Sequence, residues 1–92
     1  MHLIPYTSEL FEEDRQVAAI CPELNVSSYG DNPAEALESL KEAVELFLEE
    51  CGTMDTLETV LEEAGYRREP GKSDRWVYRQ PIQVNRLEAA VA

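Results

Sequence analysis

DNPAEALESLKEAVELFLEECG, residues 31–52, contains the helix around which the rest of this chain is organised. Asn32 stands where an N-cap belongs, Pro33 follows at the first helical position, and Glu35 comes three residues after the cap, as in a capping box. The residues that follow repeat at spacings of three and four, which predicts one apolar face. Gly52 is the expected stop. The predicted apolar face contains Leu37, Leu40, Val44, Phe47 and Cys51, widened by Ala36, Ala43 and Leu48.

The outer face of this helix is acidic. Lys41 is its only base, and no residue on it has the pattern of a nucleophile or a metal ligand. Such a face either stays in water or attracts a basic partner, and charge on this helix does not decide between the two. The candidate partner contacts are Glu38, Glu42, Glu45 and Glu49.

The charge of the chain is large and uneven. Its 92 residues carry a net charge of −11, divided into −5 over residues 1–32, −9 over residues 33–64 and +3 over residues 65–92. Duplex DNA repels such a chain, so we expect no DNA binding by it, whereas a basic protein is attracted. The length fits a single domain, 1–92, with a small core that a homodimer or homotetramer would help to stabilise.

Shorter patterns complete the predicted α+β fold. Residues 3–11, 16–21 and 25–29 have the character of strands, a second helix follows a cap at Thr53 and stops at Gly65, and residues 67–74 form a turn-rich connection. Residues 75–80 alternate as a further strand, which Ile82 and Val84 could continue at an edge. We expect an antiparallel sheet of three N-terminal strands plus a C-terminal strand, packed against the long helix, in the order β-β-β-α-α-β.

Several features bear on location and cofactors. There is no apolar run long enough for a membrane span and no signal-peptide pattern at the start, so we expect a cytoplasmic protein. Cys21 and Cys51 lack the C-x-x-C spacing of a zinc or redox site, and we expect both to be buried free thiols. We predict no cofactor and no metal site.

Residues 17–48, VAAICPELNVSSYGDNPAEALESLKEAVELFL, resemble the conserved core of the HicB-like antitoxin family. That family has a strand, a Pro-Glu/Asp-Leu turn, another strand, a Gly-Asp pair and a helix that starts with Glu-Ala-Leu. The family often has Gly-Cys after the turn, where this chain has Asn25 and Val26. The matching positions are Pro22, Glu23 and Leu24, then Gly30 and Asp31, then Glu35, Ala36 and Leu37, with Ala43 further along.

These positions also have a structural explanation that needs no family. Pro22 can end a strand, Gly30 can adopt a positive φ at the strand-to-helix turn, and Asp31 supplies an acceptor at the positive end of the helix. We expect them to build the fold first and to contact a partner second.

The resemblance implies a partial ribonuclease-H-like fold and a binding function. HicB-like domains neutralise a small basic RNA-cleaving toxin of the HicA type by protein–protein contact. Full-length antitoxins usually add a C-terminal DNA-binding domain, but only 16 residues follow Trp76, so we expect none in this chain. We also expect no enzyme activity, because nuclease chemistry needs carboxylates that converge on cations. The only histidine, His2, is expected to be disordered at the terminus.

The segment GYRREPGKSDRWVYRQ, residues 65–80, allows three alternative roles. Basic and aromatic side chains together can hold single-stranded RNA, or the same strand can pack its aromatics on the core and pair its arginines with acidic helices. A third alternative is a self-associating structural protein whose strand from Arg75 onward pairs between subunits. The candidate RNA or inter-subunit contacts are Arg67, Arg68, Arg75, Trp76, Tyr78 and Arg79.

Overall fold

A computed structural model describes residues 1–72 and 74–92. The chain is α+β, in the predicted order, with one additional short strand before the last. The first three strands form an antiparallel sheet in the order β1-β2-β3, and the last two form a separate antiparallel pair. The elements are β1 (Glu9–Glu13), β2 (Gln16–Cys21), β3 (Val26–Gly30), α1 (Pro33–Thr53), α2 (Leu57–Ala64), β4 (Tyr66–Arg68) and β5 (Trp76–Tyr78).

The first strand is shorter than predicted, because it begins at Glu9 rather than near residue 3. A two-residue turn of Asp14 and Arg15, both with positive φ, joins β1 to β2, and this turn geometry matches the twist of a hairpin. Leu3 forms an isolated parallel bridge to Arg75 instead. Pro5 has no N–H to extend that bridge into a ladder, so the N-terminal segment does not continue as a strand beside Arg75.

The turn between β2 and β3 contains a left-handed residue at the position where the chain departs from the family pattern. Asn25 has a φ of +55°, directly before Val26, which pairs with Cys21. Asparagine tolerates this conformation better than most residues, so it can replace the glycine that the family often has there. Asn25 therefore permits a tight turn between β2 and β3.

The start of α1 is close to the prediction. Asn32 accepts a hydrogen bond from the Glu35 N–H at 2.9 Å, and the Glu35 carboxylate accepts from the Asp31 N–H at 3.0 Å. Glu35 thus reaches the residue before the cap rather than the cap itself. Two free donors at the helix N-terminus are satisfied in this way.

The predicted boundary between the helices was wrong by a few residues. Gly52 lies inside α1, which extends through Thr53, and Met54 follows as the C-cap. The chain turns at Asp55, whose φ is +59°, so the N-cap of α2 is Thr56 rather than Thr53. Gly65 ends α2 in the left-handed conformation with a φ of +110°, as predicted.

The core lies between the three-stranded sheet, α1 and the C-terminal hairpin. Leu37 was predicted to lie on the buried apolar face, but 42% of it remains exposed at the border of that face. Both cysteines are buried and free, as predicted. The core residues are Ala19, Cys21, Leu24, Ala36, Leu40, Val44, Leu61, Tyr66 and Trp76, with Phe47 and Leu48 packed against them.

The hairpin of β4 and β5 replaces the single C-terminal strand of the prediction. Its first strand forms at residues 66–68, inside the connection that we expected to lack regular structure, and position 73 of that connection lies outside the described residues. Ile82 and Val84 do not continue β5, and residues 79–92 contain no helix or strand in the described chain. Neither α1 nor α2 has the length and apolar content needed to cross a bilayer.

Candidate partner-binding surface

The strand-to-helix turn is built by close backbone contact. A Cβ atom at Gly30 would lie 2.4 Å from the Ala36 nitrogen and 2.7 Å from the Glu35 carbonyl carbon. The φ of Gly30 is not positive, so the predicted reason for this glycine was wrong. The end of β3 instead approaches the first turn of α1 too closely for any side chain. Gly30, Asp31, Glu35 and Ala36 are therefore brought together, and they have a structural role.

The Pro-Glu-Leu turn holds a carboxylate in place. Leu24 is buried in the core, whereas Glu23 accepts hydrogen bonds from the Thr7 N–H at 3.0 Å and from the Thr7 hydroxyl at 2.8 Å. Burial by itself raises the pKa of Glu23, but hydrogen bonds from Thr7, from the Glu23 backbone N–H and from the Cys21 thiol together outweigh burial, and the pKa is lowered from its ordinary value. The Cys21 thiol lies 3.6 Å from this carboxylate, and burial raises the pKa of that thiol.

The acidic face of α1 remains on the surface. Glu38, Glu42, Glu45 and Glu49 are all exposed, at spacings of four, three and four residues that place them on one side of the helix. Within residues 1–72 and 74–92, two ion pairs occur, Arg68 with Glu58 and Arg75 with Glu69, and neither includes these four acids. We call these four side chains the acidic stripe. The basic C-terminal segment leaves the stripe available.

An apolar groove borders one end of the acidic stripe. It has a volume of about 380 Å³ between α1 and the N-terminal segment. Burial raises the pKa of the Tyr6 phenol, and the nearby charge of Glu45 raises it further. Charge and apolar surface therefore occur side by side, as they do at protein interfaces. The groove residues are His2, Ile4, Tyr6, Val44, Glu45, Leu48, Glu49 and Leu57.

A second depression borders the other end of the stripe. It has a volume of about 460 Å³ and lies over the strand-to-helix turn, where Tyr29 is about half exposed. Asp31, Glu35, Glu38 and Glu42 contribute four carboxylates to its lining. This concentration of negative charge favours a cationic side chain over an anionic one.

The aromatic side chains of the basic-aromatic segment pack largely on the core, which is one of the alternatives expected for it. Trp76 is only 1% exposed and Tyr66 is also buried, so both rings are in the core. Tyr78 packs edge-on against Tyr66, with ring centroids 4.8 Å apart. The guanidinium of Arg68 covers the Trp76 ring at 4.9 Å and pairs with Glu58. The Trp76 ring therefore offers no stacking surface to a base in this structure.

The remaining candidates of this segment are basic side chains on the surface. Arg67, Arg75 and Arg79 are exposed, and the Arg75 Nε lies 3.6 Å from a Glu69 carboxylate oxygen. The Arg79 side chain lies beside Gly65. The partly buried Tyr78 lines the same cleft as Arg67.

Sequence analysis missed two contacts of the N-terminal segment. His2 is ordered by the fold, because its Nδ1 accepts a hydrogen bond from the Trp76 Nε1–H at 3.0 Å. The Tyr66 hydroxyl donates to the Pro5 carbonyl at 2.7 Å. Both contacts join residues more than 60 positions apart, and no local pattern signals them. No three His, Cys, Asp or Glu side chains in the described part of the chain are arranged as a metal site.

Comparison with known proteins found no relative of this chain. No family model matches the chain, and neither the curated proteins nor the solved structures include a match to it.

Proposed function

We propose that this chain is a HicB-like binding protein, not an enzyme, that holds a small basic protein of the HicA toxin type through α1. The observation that carries the proposal is the acidic stripe, which is exposed and takes part in neither of the two ion pairs found among residues 1–72 and 74–92. Charge complementarity would speed the encounter and select a basic partner. The apolar groove beside Glu45 and Glu49 would supply the contacts that slow dissociation.

The arrangement of the family-like residues supports this proposal. The Pro-Glu-Leu turn, the Gly-Asp pair and the Glu-Ala-Leu helix start are consecutive parts of one β-β-α unit, as the resemblance implies. Asp31 and Glu35 line the acidic depression at the start of the stripe. The positions that carry the resemblance therefore adjoin the proposed contact surface.

The test is capture of a basic protein by the full chain. The immobilised chain is mixed with a lysate of cells that encode a HicA-like toxin, and bound proteins are identified by mass spectrometry. We expect enrichment of a small basic protein, and we expect inhibition of its RNA cleavage when the purified chain is added. A lysate that yields no small basic protein would contradict the proposal.

A matched pair of variants tests the surface itself. One variant replaces Glu38, Glu42, Glu45 and Glu49 by glutamine, and the other replaces the exposed Glu12, Glu13, Glu62 and Glu63 by glutamine. Both variants lose four negative charges, so a nonspecific charge effect would weaken both equally. We expect at least a tenfold lower association rate for the stripe variant at low salt and a smaller change for the control. Equal loss in both would exclude the stripe as the contact.

A further inference from the structure

The outer edge of β5 has an open backbone position at Tyr78. The Glu69 N–H donates to the Arg75 carbonyl and the Arg79 N–H donates to the Gly65 carbonyl, so the odd-numbered residues of this strand bond to β4. The even-numbered residues direct their backbone groups to the other edge, where the Trp76 N–H donates to the Leu3 carbonyl at 2.9 Å. The Tyr78 N–H points to the same edge and has no acceptor among the described residues.

A cleft separates this edge from the N-terminal segment. The next acceptor along that segment would be the Pro5 carbonyl, but the Tyr66 hydroxyl already donates to it. Pro5 itself has no N–H to donate to β5. The two segments diverge from this point and leave an open cleft of about 660 Å³. Its lining includes Thr7, Glu23, Val77, Tyr78 and Gln80.

The segment after β5 carries apolar side chains that no described residue covers. Ile82 is fully exposed and Val84 is 81% exposed. The Gln83 amide donates to the Asn85 amide oxygen at 2.8 Å, so these two polar side chains lie together. Ile82 and Val84 alternate with these polar residues in the sequence, which is the pattern of a strand with one face to bury.

Charge favours an acidic surface as the acceptor of this segment. Residues 79–92 carry two arginines and one glutamate, for a net charge of +1, whereas residues 1–78 carry a net charge of −12. Two carboxylates, Glu23 and Glu69, and one guanidinium, Arg67, line the cleft next to β5, so its lining has a net charge of −1. The cleft and the segment therefore carry opposite net charges, and the cleft has an open backbone donor at Tyr78.

We propose that residues 82–85 of a second copy add as a strand to the open edge of β5 in this cleft. Each copy offers one edge and one segment, so the exchange is reciprocal and produces a closed two-fold dimer. Reciprocity also doubles the buried area, which helps because a stable interface buries about 1,600 Å² in total. This surface is distinct from the acidic stripe, so the dimer does not depend on the proposed toxin-binding function.

The test compares two double variants by sedimentation equilibrium. Ile82→Glu with Val84→Glu places charges on the proposed buried side of the strand, whereas Leu87→Glu with Val91→Glu makes the same chemical change outside it. All four residues are exposed, so neither variant disturbs the fold. We expect a wild-type dimer, a dissociation constant at least tenfold higher for the first variant, and little change for the second. A monomeric wild type, or a dimer that both variants weaken equally, would overturn the proposal.

Hydrogen exchange at the Tyr78 amide distinguishes pairing between copies from pairing within one chain. In the proposed dimer this N–H gains an acceptor, so its protection increases with protein concentration and is lost in the Ile82→Glu, Val84→Glu variant. Protection of the Tyr78 amide that does not change with protein concentration would mean that residues 82–85 pair with β5 of their own chain. The proposed strand swap between two copies would then be wrong.

Discussion

Gly30 and Ala36 approach so closely that a Cβ atom on the glycine would lie 2.4 Å from the Ala36 backbone nitrogen. Real Cβ atoms do not come this near to a backbone atom, and neither the end of β3 nor the first turn of α1 can yield without loss of hydrogen bonds. Gly30 pairs with Val17 in the sheet, and the Ala36 N–H donates to the Asn32 carbonyl at 3.0 Å. This contact fixes how α1 leaves the sheet.

Replacement of Gly30 by alanine should therefore destabilise the protein by about 3 kcal/mol, near the upper end of overpacking effects. The matched control is Gly52→Ala, because Gly52 lies inside α1 and a Cβ atom there meets nothing within 4 Å. The control should stabilise the protein by roughly 0.5–1 kcal/mol through helix propensity. Urea denaturation followed by circular dichroism gives both values, and similar midpoints for the two variants would contradict the close contact.

The left-handed turn residue before β3 provides a second prediction. Asn25 has a φ of +55°, which glycine adopts freely and a β-branched residue adopts poorly. Asn25→Gly should leave the free energy of unfolding within about 0.5 kcal/mol, and Asn25→Val should lower it by roughly 1–2 kcal/mol. Denaturant midpoints measure both. A valine variant as stable as the glycine variant would show that the turn has another conformation.

Local chemistry made the start of α1 predictable from the sequence. Asn32, Pro33 and Glu35 satisfy or avoid the free N–H groups of the first turn, and neighbours within four residues suffice for that. The role of Gly30 was not predictable in the same way. A close approach between a strand and a helix depends on how the helix packs against the strand, which local sequence does not determine. The sequence therefore indicated that a glycine is needed at position 30 but gave a positive φ as the reason, whereas the reason is close backbone contact.

The site shows the same division between local and long-range information. Helical periodicity predicted that Glu38, Glu42, Glu45 and Glu49 share the outer face of α1, because one helix determines that geometry. The alternation of Trp76 and Tyr78 predicted a shared face but could not tell whether that face was covered. The groups that meet Trp76 come from His2, 74 residues away, and from Arg68 on the paired strand.

The buried position of Trp76 leads to a spectroscopic prediction. It is the only tryptophan, and it is 1% exposed, so its emission should be blue-shifted and weakly quenched by acrylamide. Single-stranded RNA should leave that emission unchanged at low salt. Trp76→Ala should cost about 3–5 kcal/mol, as for other large buried aromatics. Strong quenching by RNA would instead show that the ring is reachable, and the RNA-binding alternative would regain support.

The indole hydrogen bond of Trp76 can be tested separately from its packing. His2→Ala removes the acceptor of the Nε1–H and leaves the ring in place. Loss of the partner of a buried donor should lower the free energy of unfolding by roughly 1–2 kcal/mol. Trp76→Phe in the His2→Ala background should then add less destabilisation than it does in the wild type, because no indole donor remains to satisfy. Additive effects in this double-mutant cycle would mean that the hydrogen bond contributes nothing.

Glu23 should make the stability of the protein depend on pH in the acidic range. Its pKa is lowered in the folded state from the ordinary value of 4.5, because hydrogen bonds from Thr7, from its own backbone N–H and from Cys21 together outweigh the effect of burial. A lowered pKa means that the ionised form stabilises the fold. That contribution is fully present above pH 4.5 and disappears as the pH falls through the lower folded pKa. Glu23→Gln cannot ionise, so the free-energy difference between wild type and this variant should shrink on acidification.

Thr7→Val is the matched variant for this dependence on pH. It removes the hydroxyl donor at 2.8 Å but keeps the backbone N–H that donates to the same carboxylate at 3.0 Å. We therefore expect its pH dependence to lie between those of the wild type and Glu23→Gln. Urea denaturation at closely spaced pH values between about 3 and 6 measures the differences, and NMR titration of the carboxyl carbon gives the pKa directly. A Glu23 pKa at or above its ordinary value would mean that the effect of burial on the pKa outweighs that of the hydrogen bonds at this turn.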